Sequence, residues 1–326
     1  MALNVLDFEK PIAELDENIE TLKRLSEEEG VDRSAEIKEL EEHRDRLIAE
    51  IFSNLTPWDK TLLARHPNRP YTMDYIRAIF DDFVELHGDR LFEDDNAIVG
   101  GFAFLGGKPV MVVGHQKGRD LKDRQFRNFG SAKPEGYRKA LRLMKMAEKF
   151  GRPIISFVDT PAADCSIGAE ERGISEAIAR NMCEMSALKV PVVVAVIGEG
   201  GSGGAIGIAV GNRVIMQENA IYSVIPPEGC AAILWRDPAK ASEAAEALKI
   251  TAQHMLKYGV IDEIIPEPLG GAHRNYEEAA SNVKNAIVQS LAQLEKLSPN
   301  KLIEQRYQKF RKMGVFVEVS EVESKA

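Results

Sequence analysis

The chain has 326 residues, 44% of them apolar, with a formal charge of −9, enough for a sizeable core in one or two domains and too acidic for a general polyanion binder. Its three cysteines, Cys165, Cys183 and Cys230, lack metal-ligand spacing, so no metal is expected on this chain. No apolar stretch approaches the ~18 residues of a membrane span and the N-terminus does not read as a signal peptide, so a cytoplasmic location away from membranes is expected.

Residues 9–56 open the chain with a helical pattern. Ile12, Leu15, Ile19 and Leu22 form one stripe; Ile37, Leu40, Leu47 and Ile51 resume it, with Arg44 at the skipped position. Glu29-Gly30-Val31-Asp32 interrupts the stripe, so a helical hairpin is expected, packed on its own domain or serving as a dimer arm. Leu55 to Pro70, with Pro57, Pro67 and Pro70, reads as a connector.

One phrase then repeats. Lys108-Pro109 precedes the apolar run Val110–Gly114, Arg152-Pro153 precedes Ile154–Asp159, and Val190-Pro191 precedes Val192–Ile197. Each begins with a proline, which a strand's first residue tolerates, and each is continuously apolar, which implies burial on both faces. Helical patterns follow at Tyr137–Phe150, Glu170–Leu188 and Ala205–Val210, so an α/β core of strand–loop–helix units is expected. His115 is the one histidine at the end of a core strand and reads as structural.

Between Lys117 and Lys149 stand eleven Lys or Arg against four Asp or Glu, a local charge of +7. Lys117, Arg119 and Arg127 lie in the loop, and Arg138, Lys139, Arg142, Lys145 and Lys149 on the helix after it. The run is either a solvated face or a docking surface for an anion such as a phosphorylated cofactor or an acidic partner. Only Phe126, Phe129 and Tyr137 interleave, so RNA binding is a weak alternative.

The strand Val192–Ile197 ends in five glycines within seven residues, Gly198 to Gly204. Glycine in such numbers costs backbone entropy and implies a need for bare amides or close approach. Three readings stay open. Gly198-x-Gly200-x-x-Gly203 satisfies a dinucleotide fingerprint, with Glu218 downstream; the turn could form an oxyanion hole; or the glycines could serve packing alone. No Ser-His-Asp order, nucleophile elbow or metal cluster accompanies them, which favours chemistry carried by backbone amides and a cofactor's own base.

After the glycines, Val214–Met216 and Ala220–Ile225 read as strands, with Pro226–Gly229 ending the second. Ala241–Leu256 reads as a helix. Beyond Pro266–Gly271, Val283, Ile287, Leu291, Leu294 and Leu297 form a helical stripe, and Lys301–Lys312 is a charged helix. The expected division is 1–75 for the hairpin and connector, 76–270 for the core, 271–314 for the C-terminal helices and 315–326 for a frayed tail.

Several long motifs carry a resemblance. Val196-Ile-Gly-Glu-Gly-Gly-Ser-Gly-Gly-Ala205, Tyr222-Ser-Val-Ile225 with Pro227-Glu-Gly-Cys230, Ile265–Arg274 and Gly136–Lys145 resemble the α subunit of the carboxyltransferase of bacterial acetyl-CoA carboxylase, from the hairpin to about Gly314. The resemblance implies a crotonase-like superhelix of strand–strand–helix units. It implies transfer of a carboxyl group from carboxybiotin, borne on a biotin carboxyl carrier protein charged by biotin carboxylase, to acetyl-CoA. The product is malonyl-CoA for fatty-acid synthesis. It further implies an α2β2 assembly in which a zinc-ribbon β subunit completes the site. Gly203, Gly204 and Ala205 then become the oxyanion hole for the ureido oxygen of biotin, with Gly204 and Ala205 offering the amides and Gly203 shaping the turn. Lys117, Arg119 and Arg127 become residues facing the CoA phosphates or the carrier.

One loop departs from the family. After Asp159-Thr160-Pro161 the usual Gly-Ala-Tyr-Pro-Gly is replaced by Ala162-Ala163-Asp164-Cys165-Ser166, and Ile174 stands where glutamine is common. Ala162, Ala163 and Asp164 should border the site, so acyl specificity, biotin fit or rate is open at this point. A subunit for another acyl-CoA, a related decarboxylase, and a non-catalytic or RNA-binding scaffold are the alternatives.

Overall fold

A computed structural model describes residues 5–314, so the tail expected at 315–326 lies outside the described residues. The hairpin forms as expected, from α1 (Lys10–Glu29) and α2 (Ser34–Ser53). Gly30 closes α1 in the left-handed region at φ 65°, where a side chain would be strained.

The expected connector is not irregular throughout. It contains α3 (Pro57–Ala64), with Pro57 at the first helical position and a reciprocal Thr56–Asp59 capping box. Proline is pre-set for that position because its missing N–H would be unpaired there anyway. Then come α4 (Thr72–Ile79), β1 (Asp81–Glu85) and β2 (Ile98–Leu105), none of which the apolar pattern announces. β2 returns into β3 (Lys108–His115) through Gly106 and Gly107, both at positive φ, as a two-residue hairpin turn requires.

The long basic loop holds α5 (Leu121–Phe126) and leads into α6 (Pro134–Lys149), followed by β4 (Ile154–Thr160). The single helix expected at 170–188 is two, α7 (Ile167–Glu171) and α8 (Ile174–Ser186), parted at Gly173 with φ 79°. β5 (Val192–Gly201) extends four residues past the apolar run, through Gly198 to Gly201, and α9 is only Ser202–Ile206 rather than 205–210.

β6 (Arg213–Gln217) and the short β7 (Ile221–Ser223) follow. Pro227 does not merely end a strand but starts α10 (Pro227–Trp235). The helix expected at 241–256 is divided into α11 (Ala241–Leu248) and α12 (Ala252–Lys257) by Lys249 at φ 54°. β8 (Glu263–Ile265), α13 (Tyr276–Leu294) and α14 (Pro299–Arg311) are the last elements among the described residues.

The strands form one sheet in the order β1-β2-β3-β4-β5-β6-β8, with β7 continuing beside the end of β5. β1 to β3 are antiparallel and β3 onward parallel. Burial follows the two-residue strand period. Val192, Val194 and Val196 join the cluster under α6 and α8, while Val193, Ala195 and Ile197 join the one under α4 and α13. The C-terminal ends of β4 and β5, both central, deliver the divergent loop and the glycine turn to one place.

Candidate active site

Most of the glycine run serves close packing. A Cβ at Gly198 would overlap the Asp159 carboxylate, one at Gly200 the Tyr222 ring, and one at Gly201 the Pro161 carbonyl. The first two glycines of the dinucleotide fingerprint therefore lie inside β5, and the fingerprint spacing forms no strand-to-helix phosphate turn here.

The turn itself is Ser202-Gly203-Gly204-Ala205. Ser202 stands at φ 50°, an uncommon position for a residue with a side chain. Gly203 and Gly204 fall in the first turn of α9, where amides have no carbonyl four residues back within the helix, whereas fully buried Ala205 is the fourth residue. A Cβ at Gly204 would lie 2.6 Å from Ala162 C and Ala163 N, so the divergent loop rests directly on this glycine. A Cβ at Gly203 would meet only Ile178 Cδ1, at 3.5 Å. Gly203 borders an apolar cavity of about 600 Å³, with Ile206, Val214, Tyr222, Met255 and Phe310 among its walls.

The divergent loop has its own local logic. The Asp164 carboxylate accepts from the Ser166 N–H and hydroxyl, both at 3.0 Å, and Ser166 Oγ accepts from Ala169 N–H as the cap of α7. The Asp164 N–H donates to Ala132 O at 2.9 Å. Thr160 Oγ1 donates to Ala162 O at 2.8 Å and also bonds Gly130 O. This turn is built on side-chain hydrogen bonds.

Beside the turn lies a buried ionic cluster that sequence reading missed. Lys117 Nζ reaches Asp159 Oδ1 at 2.7 Å and Glu199 Oε2 at 2.8 Å. Arg65 Nε reaches Glu199 Oε1 at 2.7 Å and also pairs with Glu228. Asp159 Oδ1 accepts the Glu199 N–H at 3.0 Å, tying the ends of β4 and β5 together. Burial opposes the Lys117 charge, but its two carboxylate partners outweigh it and hold the ammonium well above the ordinary lysine range. The available signal was a charged residue closing each apolar strand: Asp159 on β4 and Glu199 on β5.

Much of the basic segment is engaged in pairing within the fold. Arg119 donates to Pro67 O and Arg69 O, pairs with Asp74 and lies over the Tyr71 ring. Arg127 donates to Asn96 O at 3.0 Å and stacks by Phe126. Arg138 pairs with Asp89, Lys145 with Glu184, and the fully buried Lys139 with Asp94. Acids from distant segments supply the compensation, which a window of local charge does not register. His115 is fully buried: its ring lies against the backbone of Gly204 and Phe157, and burial, aided by the Lys117 charge, pushes its pKa down to about 3.

A second cluster joins the hairpin to the core. Glu9, His66 and His273 bring two imidazoles and a carboxylate within ligand reach of one another. His273 Nε2 lies 2.8 Å from Glu9 Oε1, and the two imidazole rings lie 4.2 Å apart, tilted by 34°. His66 Nδ1 accepts the Asn68 N–H at 3.1 Å, which leaves the neutral ring's proton on Nε2, facing Glu9. That tautomer suits a hydrogen-bonded clasp better than a metal site. Burial works to raise the Glu9 carboxyl, but the His273 hydrogen bond and charge, with the Leu6 N–H, bring it below its ordinary value of 4.5. A lowered carboxyl stabilises the fold above 4.5 and loses that contribution as pH falls through its folded value. The protection factors of the hairpin amides, exchange rates taken relative to the unprotected rate at each pH, should therefore fall on acidification below that point, and more so than in a Glu9→Gln variant. Equal acid response in both would remove the clasp.

Among the described residues no helix is long and apolar enough to cross a membrane. Residues 5–314 match the family model described as acetyl co-enzyme A carboxylase carboxyltransferase-like. The acetyl-coenzyme A carboxylase carboxyl transferase subunit alpha of Geobacter metallireducens is 58% identical over 313 residues, 96% of this chain and 98% of that one. The same subunit of Syntrophotalea carbinolica is 59% identical over 314 residues, 96% of this chain and 99% of the relative. Among solved structures, transcarboxylase 12S aligns with a TM-score of 0.56 at 18% identity over 70% of this chain and 42% of that chain. A Pseudomonas malonate decarboxylase hetero-tetramer aligns with a TM-score of 0.53 at 16% identity, over 64% of this chain and 84% of that one. At such identities the structures share the fold, the crotonase-like one.

Proposed function

Because this chain belongs to the family of acetyl-CoA carboxylase carboxyltransferase α subunits, whose activity is carboxyl transfer to acetyl-CoA, we propose that the Gly203–Gly204 turn binds the ureido oxygen of biotin. The observation that carries this reading is the contrast between Gly203 and its neighbours. Gly198, Gly200, Gly201 and Gly204 are required by packing, but Gly203 is bare toward a cavity. The amides of Gly203 and Gly204 are the first-turn donors, whereas the Ala205 amide has the Gly201 carbonyl four residues back, so the donor pair sits one residue earlier than the Gly204–Ala205 pair expected from the sequence.

Carboxybiotin, when bound, supplies the carboxyl group and a nitrogen able to take the acetyl proton. The chain's own part is electrostatic. Fixed N–H dipoles stabilise negative charge at the ureido oxygen without reorganising, inside apolar walls that keep the local dielectric low. No side-chain base is needed at the turn, and the ammonium of Lys117 is already satisfied by two carboxylates. The acetyl-CoA side of the site comes from a zinc-ribbon β subunit, and carboxybiotin arrives on a carrier protein charged by biotin carboxylase. Lys117, Arg119 and Arg127 act in this reading as braces of the loops around the turn. No metal is assigned to this chain.

The test is reconstitution. The purified chain mixed with its β subunit should form malonyl-CoA from acetyl-CoA, and the chain alone should form none. Propionyl- and butyryl-CoA run in parallel determine whether the Ala162–Asp164 loop has altered acyl choice. Turnover of no acyl-CoA, together with salt-sensitive RNA binding, would replace this reading with a scaffold.

A further inference from the structure

A five-residue helix cannot satisfy its own last carbonyls, because each needs an amide four residues further on. In α9 and the turn after it, three buried side chains provide what the backbone lacks. Tyr137 Oη donates to Gly204 O at 3.2 Å. Asn181 Nδ2 donates to Gly207 O at 3.0 Å. Ser156 Oγ donates to Ile208 O at 2.7 Å. The donors come from α6, α8 and β4, and each is at most 1% exposed.

The anchors are linked to one another. Asn181 Nδ2 also donates to the Tyr137 carbonyl at 2.9 Å, fixing α6 against α8 above the turn. Tyr137 can lie where it does because Gly207 has no side chain: a Cβ there would sit 2.6 Å from the ring's Cε1. Gly204 is thus held on two sides, by the Tyr137 hydroxyl at its carbonyl and by the Ala162–Ala163 backbone at its α-carbon. A phenol buried this deeply stays protonated, since burial pushes the ionisation of Tyr137 far above the ordinary tyrosine range.

We propose that Tyr137, with Asn181 and Ser156, forms a set of positioning residues that holds the Gly203–Gly204 peptides in the orientation needed for charge stabilisation. None of the three touches the ureido oxygen. They act through the carbonyls of Gly204, Gly207 and Ile208: the Tyr137 hydroxyl holds the Gly204–Ala205 peptide, which directly follows the two peptides that carry the Gly203 and Gly204 N–H groups, and Asn181 and Ser156 hold the backbone just after α9. The inference rests on the oxyanion reading of the turn and adds the parts that make the turn rigid. Preorganised donors are effective only when they cannot relax away from the developing charge.

The experiment uses the chain assembled with its β subunit and measures kcat, KM for acetyl-CoA and Tm for four variants. Tyr137→Phe removes only the hydroxyl and should lower kcat about 10-fold with KM for acetyl-CoA unchanged, because the acetyl-CoA side is built elsewhere. Ser156→Ala, a smaller deletion, should show the same split to a lesser degree. Leu143→Val, on the same helix as Tyr137 but away from the turn, should lower Tm with kcat intact. Gly203→Val reports on the turn itself. Loss of activity in Gly203→Val with full kcat in both hydroxyl deletions would overturn the positioning role and leave the turn standing. Full activity in Gly203→Val would remove the turn and the anchors together. A fall in kcat for Leu143→Val matching that for Tyr137→Phe would reduce the anchors to general stability.

Discussion

Replacing Gly203 with valine should lower carboxyl transfer by about 10²-fold or more while the assembled protein keeps its stability within about 1 kcal/mol. The added Cβ meets only Ile178 Cδ1, at an ordinary contact distance of 3.5 Å, and the position borders a cavity with room for the methyls. Its methyls extend toward the cavity and screen the first-turn amides from a ligand oxygen. Gly204→Ala provides the contrast. Its Cβ would come within 2.6 Å of the Ala162 and Ala163 backbone, which must shift, and overpacking of this kind costs about 1–3 kcal/mol. The first variant should thus lose kcat with Tm held, and the second should lose both. Steady-state kinetics paired with thermal unfolding separates them. Full activity in Gly203→Val would exclude the turn from the reaction.

Lys117→Met should destabilise the fold by about 3–5 kcal/mol, as loss of one member of a buried ion pair does. The side chain is 12% exposed, and its removal strands Asp159 and Glu199, whose side chains are 1% and 9% exposed. Only Arg65 then remains beside Glu199, and nothing replaces the partner of Asp159. Because Asp159 also accepts the Glu199 N–H, the ends of β4 and β5 should loosen together. Chemical denaturation of the purified chain measures the effect. If Lys117 were instead a solvated docking cation, the midpoint would hardly move and weakened partner binding would be the only consequence.

How far the sequence could be read depends on the kind of signal. The hairpin, β3, β4, β5 and the C-terminal stripe were legible because burial imposes a period on apolar residues. β1 and β2 were not: β1 is half exposed and reads Asp-Asp-Phe-Val-Glu, and β2 carries two glycines beside its neighbours' backbone and side chains. Helix boundaries failed where a single positive-φ residue, Gly173 or Lys249, breaks a continuous apolar stripe.

At the site, the motif located the turn but could not apportion its glycines. Four of the five are required by close neighbours, Asp159, Tyr222, Pro161 and Ala162, that converge only in the fold. Much of the charge of the +7 segment is likewise matched only in the fold. Its compensating acids, Asp74, Asp89, Asp94, Asp159, Glu184 and Glu199, lie before it or after it in sequence. Nothing in the sequence pointed to the anchoring role of Tyr137 or Asn181, because a donor to a backbone carbonyl looks like any helix residue until the carbonyl is placed.

The account turns on two amides meeting one oxygen. A crystal structure of this chain assembled with its β subunit and biotin bound would measure that directly. The ureido oxygen should lie about 2.7–3.1 Å from the amide nitrogens of Gly203 and Gly204, the span of a working oxyanion hole. A ureido oxygen held by side chains, or placed on the far side of the cavity from Gly203, would contradict it.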